Sequence, residues 1–186
     1  MALKPAVFID KDGTLIHDVP YNIDPHRMAL RADAGAALRE LQAAGYALVL
    51  VTNQAGVALG RFPESALPPL WGALSTHLSE EDVHLTGVYY CPHHPEGRGD
   101  YAARCTCRKP QDGLLRRAAK AHDIDLARSW MIGDILDDVE AGHRAGCRSV
   151  LLDVRSETEW QLSPLRTPDY VAPDLRAASR HIAAAS

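Results

Sequence analysis

The stretch "AVFIDKDGTLI", residues 6–16, runs four apolar residues into Asp10, sets Asp12 two positions further on, and follows them with Gly13 and Thr14. An apolar run with no polar alternation reads as a strand covered on both faces, the pattern of a parallel sheet between helices. In open α/β sheets ligands bind beyond the carboxyl ends of the strands. Asp10, which closes this strand, and Asp12, in the turn after it, therefore both face a site. Gly13 permits the turn and Thr14 can hydrogen-bond within it. Two carboxylates this close repel unless one is protonated or a cation lies between them, and a divalent metal relieves that repulsion.

The rest of the chain repeats the strand signal. "YALVLVT" (46–52), "GVYY" (87–90), "WMIG" (130–133) and "SVLL" (149–152) read as further strands. Between them lie helical stretches: 33–45 with Asp33 as N-cap and Gly45 past its end, 112–122, and 137–146 ending at Gly146. In 63–80, Pro68 and Pro69 predict a helix with an irregular first turn. The tail beyond about residue 153 reads as a loop, a short "DYVA" strand and a final helix. This alternation predicts an α/β fold, a doubly wound, mainly parallel Rossmann-like sheet, in one domain over 1–186 with no large cap domain.

Composition narrows the function. The 186 residues are 46% hydrophobic and 24% charged, ordinary for a globular chain that buries a core. A formal net charge of -4 gives no footprint for nucleic acid or for an anionic membrane. No apolar window reaches the length of a membrane span, and the N-terminal apolar stretch is too short for a signal peptide. A cytoplasmic monomer is the expectation.

Three other strand ends bring complementary chemistry to the same rim. Thr52, Asn53 and Gln54 follow the second strand, Arg108 and Lys109 precede a helix, and Asp134 follows the fourth strand. Carboxylates, a hydroxyl and a cation at one rim suit phosphoryl transfer, where fixed donors and a metal stabilise charge on the equatorial oxygens. "HDVPYN" (17–22) lies on the same rim, which makes Asp18 and Tyr21 candidate substrate contacts beside Asn53, Gln54 and Arg108.

Of four cysteines, three fall between residues 91 and 107. In a cytosolic chain such a cluster points to metal rather than to disulfides. Cys91, Cys105 and Cys107 with one imidazole form a closed tetrahedral zinc site, structural because no ligand position stays open. Either His93 or His94 completes it. Cys147, in "AGCRSVLL", reads as a small buried residue at the start of a strand.

"DKDGT", "TNQ", "RKP" and "GDILDDVEAGHRAG", in this order and spacing, resemble the four motifs of the haloacid dehalogenase superfamily of aspartate-dependent phosphatases. The segment "GVYYCPHHPEGRGDYAARCTCRKP" is similar to the heptose 1,7-bisphosphate 7-phosphatases and their relatives, the histidinol-phosphate phosphatases. The resemblance implies that Asp10 is the nucleophile and Asp12 the general acid and base, with Thr52 and Lys109 holding phosphoryl oxygens. It implies Mg2+ on Asp10, the backbone carbonyl of Asp12, and Asp134, with Asp138 orienting the Asp134 loop. It favours His93 as the zinc ligand, and it implies a small phosphorylated sugar as substrate.

Lys11, Ala55, Leu59 and Ile135 depart from the residues common in these phosphatases at those positions, and two of the departures remove cations near the pocket. A fork-shaped donor set such as Arg108 suits a second phosphate or sugar oxygens better than the cationic end of histidinol phosphate. Taken singly, each motif also describes an ordinary turn or a helix N-cap. A zinc-stabilised binding module that kept the fold and lost the chemistry is the alternative of another class.

Overall fold

The computed structural model describes residues 3–185, so the expected bounds 1–186 extend past it by Met1, Ala2 and Ser186. Among the described residues six strands form one sheet, all parallel: β1 (Ala6–Ile9), β2 (Ala47–Asn53), β3 (Gly87–Cys91), β4 (Trp130–Gly133), β5 (Arg148–Leu152) and β6 (Tyr170–Ala172). Their order is β3-β2-β1-β4-β5-β6. The chain moves outward from β1 to β3 and then returns to the other side of β1. The switch point of the sheet therefore lies between β1 and β4, where such sheets bind ligands.

Alternation along each strand divides the core into two layers. Val7, Ile9, Leu48, Leu50, Ile132 and Val150 face one side, packed under α1 (Ala34–Ala43), α2 (Leu67–Glu80) and α5 (Leu175–Ala184). Ala6, Phe8, Val49, Val51 and Met131 face the other, under α3 (Gly113–His122) and α4 (Leu136–Ala145). The three central strands β1, β2 and β4, covered on both faces, carry no polar residue until their carboxyl ends.

Local differences from the sequence reading have physical causes. Pro68 and Pro69 sit in the first turn of α2, where amide donors have no intrahelical acceptor, and a 3₁₀ turn (Glu64–Ala66) replaces the expected irregularity. Asp33 occupies the N-cap of α1 but makes no capping hydrogen bond there. Its carboxylate instead accepts from the Arg176 amide at 3.1 Å, tying the starts of α1 and α5 together. Cys147 is buried just before β5, and burial pushes its thiol up to about 12. No helix is long and apolar enough to cross a membrane among the described residues.

Candidate active site

Asp10 follows β1 and is still hydrogen-bonded to β4 through its amide, which donates to the Ile132 carbonyl at 3.0 Å. Asp134 follows β4 directly, so the switch point sets these two carboxylates side by side. Gly13 has φ +81° and lies against Asp134; a Cβ there would fall 2.1 Å from its carboxylate oxygen. The glycine after Asp12 thus serves two ends, the left-handed turn and the close approach of the second acid. Thr14 donates to Asp134 Oδ1 at 3.1 Å, and Arg31 donates to the Gly13 carbonyl at 3.3 Å.

Lys109 reaches this pair from the loop before α3, and its ammonium is almost wholly buried. It pairs with Asp10 Oδ1, with Asp138 Oδ1 at 2.6 Å, and donates to the Val51 carbonyl at 3.1 Å. Asp10 and Val51 accept hydrogen bonds from the ammonium, whereas the contact with Asp138 is an ion pair that leaves Asp138 Oδ1 without a hydrogen bond among the described residues. Burial lowers the Lys109 pKa, but Asp10 and Asp138 more than offset it and leave it raised. Burial lifts Asp10 well above the usual carboxylate range, opposed by Lys109 and reinforced by Asp138, Asp134 and Asp12. Asp134 is pushed up to about 6, first by burial and then by the Asp138 charge, against hydrogen bonds from Ser156 and Thr14.

Carboxylate oxygens of Asp10, Asp134 and Asp138 lie within 4.8 Å of one another, with Lys109 the one cation paired to them among the described residues. An all-oxygen, charge-deficient set of this kind fits a hard divalent cation such as Mg2+. Asp138 pairs through Oδ1 with Lys109 and accepts through Oδ2 from the Ile135 amide at 3.3 Å, and it lines with Asp10 and Asp134 a cleft of about 350 Å³. Thr52, Asn53, Asp12, Asp18 and Ser156 line that cleft as well.

The Asp12 side chain turns away from the other acids. It pairs with Lys11 Nζ at 2.8 Å and accepts from Gln54 Nε2 at 3.3 Å, and the same Gln54 amide donates to Thr52 Oγ1 at 2.9 Å. Asn53 gives both ends of its amide to Lys109: Nδ2 donates to the Lys109 carbonyl at 3.1 Å and Oδ1 accepts its N–H at 3.0 Å. The expected substrate contacts therefore separate. Asp18, Tyr21, Asn53 and Gln54 line a second cleft of about 240 Å³ with Lys11. Partial burial and the Asp12 charge hold the Asp18 carboxyl above its usual range. Arg108 lies elsewhere, in a third cleft on the far side of Lys109.

Cys91, His93, Cys105 and Cys107 come together as their spacing predicts, with donor atoms within 4.8 Å. Three thiols and an imidazole at these distances fit zinc. His93 Nδ1 lies 3.4 Å from Cys107 Sγ, while His94 Nδ1 accepts from the Glu96 amide at 3.1 Å and belongs to the loop instead. The Arg108 amide donates to Cys105 Sγ at 3.4 Å, so the cluster adjoins the residue before Lys109 directly.

Sequence reasoning missed Ser156 and Glu157. The first hydrogen-bonds Asp134; the second accepts from the Leu136 amide at 2.7 Å and caps α4. Both lie in a strap, 153–169, without helix or strand. Arg166 pins the strap to Asp137 at 2.9 Å and Glu140 at 2.8 Å. Nothing in its sequence is periodic, so no pattern announces these contacts.

The chain as a whole is similar to known proteins. Residues 106–178 match the family described as HAD-hydrolase-like. The chain is 45% identical over 150 residues to D-glycero-beta-D-manno-heptose-1,7-bisphosphate 7-phosphatase of Haemophilus ducreyi, covering 80% of this chain and 82% of that protein. A putative HAD-like phosphatase from Mesorhizobium loti superposes with TM-score 0.84 at 35% identity, covering 98% of this chain and 88% of that one. D,D-heptose 1,7-bisphosphate phosphatase from B. bronchiseptica, solved with magnesium and phosphate, superposes with TM-score 0.80 at 26% identity over 98% of this chain and 99% of that one.

Proposed function

The chain belongs to the HAD-like phosphatases, and from that premise we propose that it removes the 7-phosphate of D-glycero-D-manno-heptose 1,7-bisphosphate through an aspartyl phosphate on Asp10. The observation that carries the chemistry is one buried cation, Lys109, shared between Asp10 and Asp138 beside Asp134. The substrate rests on the H. ducreyi relative and on Arg108, which lines with Lys109 the neighbouring cleft.

Asp10 attacks phosphorus and the bond to the leaving oxygen breaks, with Asp12 protonating the departing alkoxide. Lys11 and Gln54 hold the Asp12 carboxyl in place for that transfer. In the second half Asp12 takes a proton from water as it attacks the acyl phosphate, and inorganic phosphate leaves. At rest Lys109 gives hydrogen bonds to Asp10 and the Val51 carbonyl and pairs in charge with Asp138. As Asp10 forms its bond to phosphorus its charge falls, and the donor it held turns to a phosphoryl oxygen. Stabilisation thus grows as the transition state forms, which is the requirement for catalysis.

Mg2+ would be held by Asp10, the Asp12 carbonyl and Asp134, and when bound supplies charge neutralisation and orientation of the phosphoryl group. Zinc would be held by Cys91, His93, Cys105 and Cys107, fixing the loop that carries Arg108 and Lys109. Asn53 then acts as a positioning residue through the Lys109 backbone.

The test compares kcat/KM for the α and β heptose 1,7-bisphosphates, fructose 1,6-bisphosphate and histidinol phosphate. A heptose bisphosphate should lead; a lead by histidinol phosphate overturns the substrate and leaves the phosphatase chemistry intact. Asp10→Asn should abolish turnover and Asp12→Asn lower it by about two to four orders of magnitude. Near-normal release of phosphate by Asp10→Asn refutes the nucleophile.

A further inference from the structure

The two clefts that flank the reacting centre carry opposite charge. The cleft beyond β2 holds Asp12 and Asp18, and its one lysine, Lys11, is spent on Asp12. The cleft beyond Lys109, about 350 Å³, is lined by Arg104, Arg108, Gln111 and Asp137. Its acid is neutralised, since Asp137 Oδ1 pairs with Arg166 Nη1 at 2.9 Å. Arg108 gives Nη1 to the His93 carbonyl at 3.5 Å. Neither Arg104 nor Arg108 pairs with a carboxylate among the described residues. Two arginines without a carboxylate partner among the described residues therefore line one open cleft together with Lys109.

We propose that Arg104 is a specificity-determining residue, which with Arg108 receives the phosphate that is not cleaved. This rests on the bisphosphate reading given above. A doubly charged group at the far end of the substrate gains charge-assisted hydrogen bonds from two arginines on this side of Lys109, and planar guanidinium forks match its oxygens. The sugar hydroxyls are left to the opposite cleft, where Asp18 and Gln54 offer acceptors and donors. Arg104 adjoins Cys105 in the chain, so the thiol and imidazole cluster sets where its backbone sits. Arg61, which lies 5.3 Å from the Tyr21 ring at the other cleft, serves as the comparison cation.

The experiment uses the enzyme with both metals and measures kcat/KM for heptose 1,7-bisphosphate and for heptose 7-phosphate. In Arg104→Ala the ratio of the two should fall about tenfold, chiefly through KM for the bisphosphate. Arg104→Lys should recover part of it, and Arg104→Glu should lower it further. An unchanged ratio in both Arg104→Ala and Arg104→Glu overturns the inference, as does an equal fall in Arg61→Ala. If the unmodified enzyme does not prefer the bisphosphate, the substrate reading falls and takes this inference with it. If it does prefer it and the ratio stays fixed in the variants, this inference alone falls.

Discussion

At the scale of single residues, the motifs announced which side chains meet but not how their hydrogen bonds are spent. Asp10 and Lys109 were legible as site residues 99 positions apart, because each sits where an apolar strand or a helix boundary ends in polar chemistry. That Lys109 is shared between Asp10 and Asp138, and that Asn53 gives its amide to the Lys109 backbone, depends on distances no spacing contains. Lys11, one residue before Asp12, is the sharper case: it is buried against Asp12 and lies 5.7 Å from the Trp71 ring, where sequence suggested only a replacement for arginine. The Asn53 clamp gives a separable expectation. Asn53→Ala leaves a backbone N–H and a carbonyl unpaired and should cost about 1–3 kcal/mol by urea unfolding, with kcat falling more than KM rises. A rise in KM at unchanged stability would instead make Asn53 a direct substrate contact.

At the scale of elements, periodicity succeeded wherever burial was two-sided and failed wherever a segment is held by its partners. The strands were readable as continuous apolar runs, and α3 and α4 as helical stretches between them, α4 closed by Gly146. The strap 153–169 was readable only as a loop, because what orders it lies on α4 and after β4: Asp134, the Leu136 amide, Asp137 and Glu140. The cysteine hairpins fall between these cases, since C-x-H and C-x-C announce ligands without fixing which histidine joins. Their thiols and Cys147 should respond differently to a thiol reagent at pH 8. In protein as purified all four should react slowly. After a strong chelator, Cys91, Cys105 and Cys107 should be modified within minutes, while Cys147, its thiol raised by burial to about 12, waits for unfolding. Three fast thiols before chelation would refute a metal on the cluster.

For the whole molecule, the two-layer core around β1 explains why the sheet tolerates so many polar groups at one end only. Phe8 is fully buried at the centre of the layer under α3 and α4. Phe8→Ala should cost about 3–5 kcal/mol in urea or thermal unfolding. A loss below about 1 kcal/mol would mean that layer collapses around the gap and is not close-packed. The doubly wound order was legible in outline, since strands and helices alternate, but the place of β4 beside β1 was not, and that placement is what joins Asp134 to Asp10. The strap has one more consequence. The chain's three tryptophans are distributed so that Trp130 is buried in the core at 1% exposure, Trp71 is half-buried, and Trp160, at 55%, stands on the strap. An aqueous quencher such as iodide therefore extinguishes the light emitted from the strap ahead of that from the core. The molecule thus carries a light-emitting side chain that reports on the strap separately from the core.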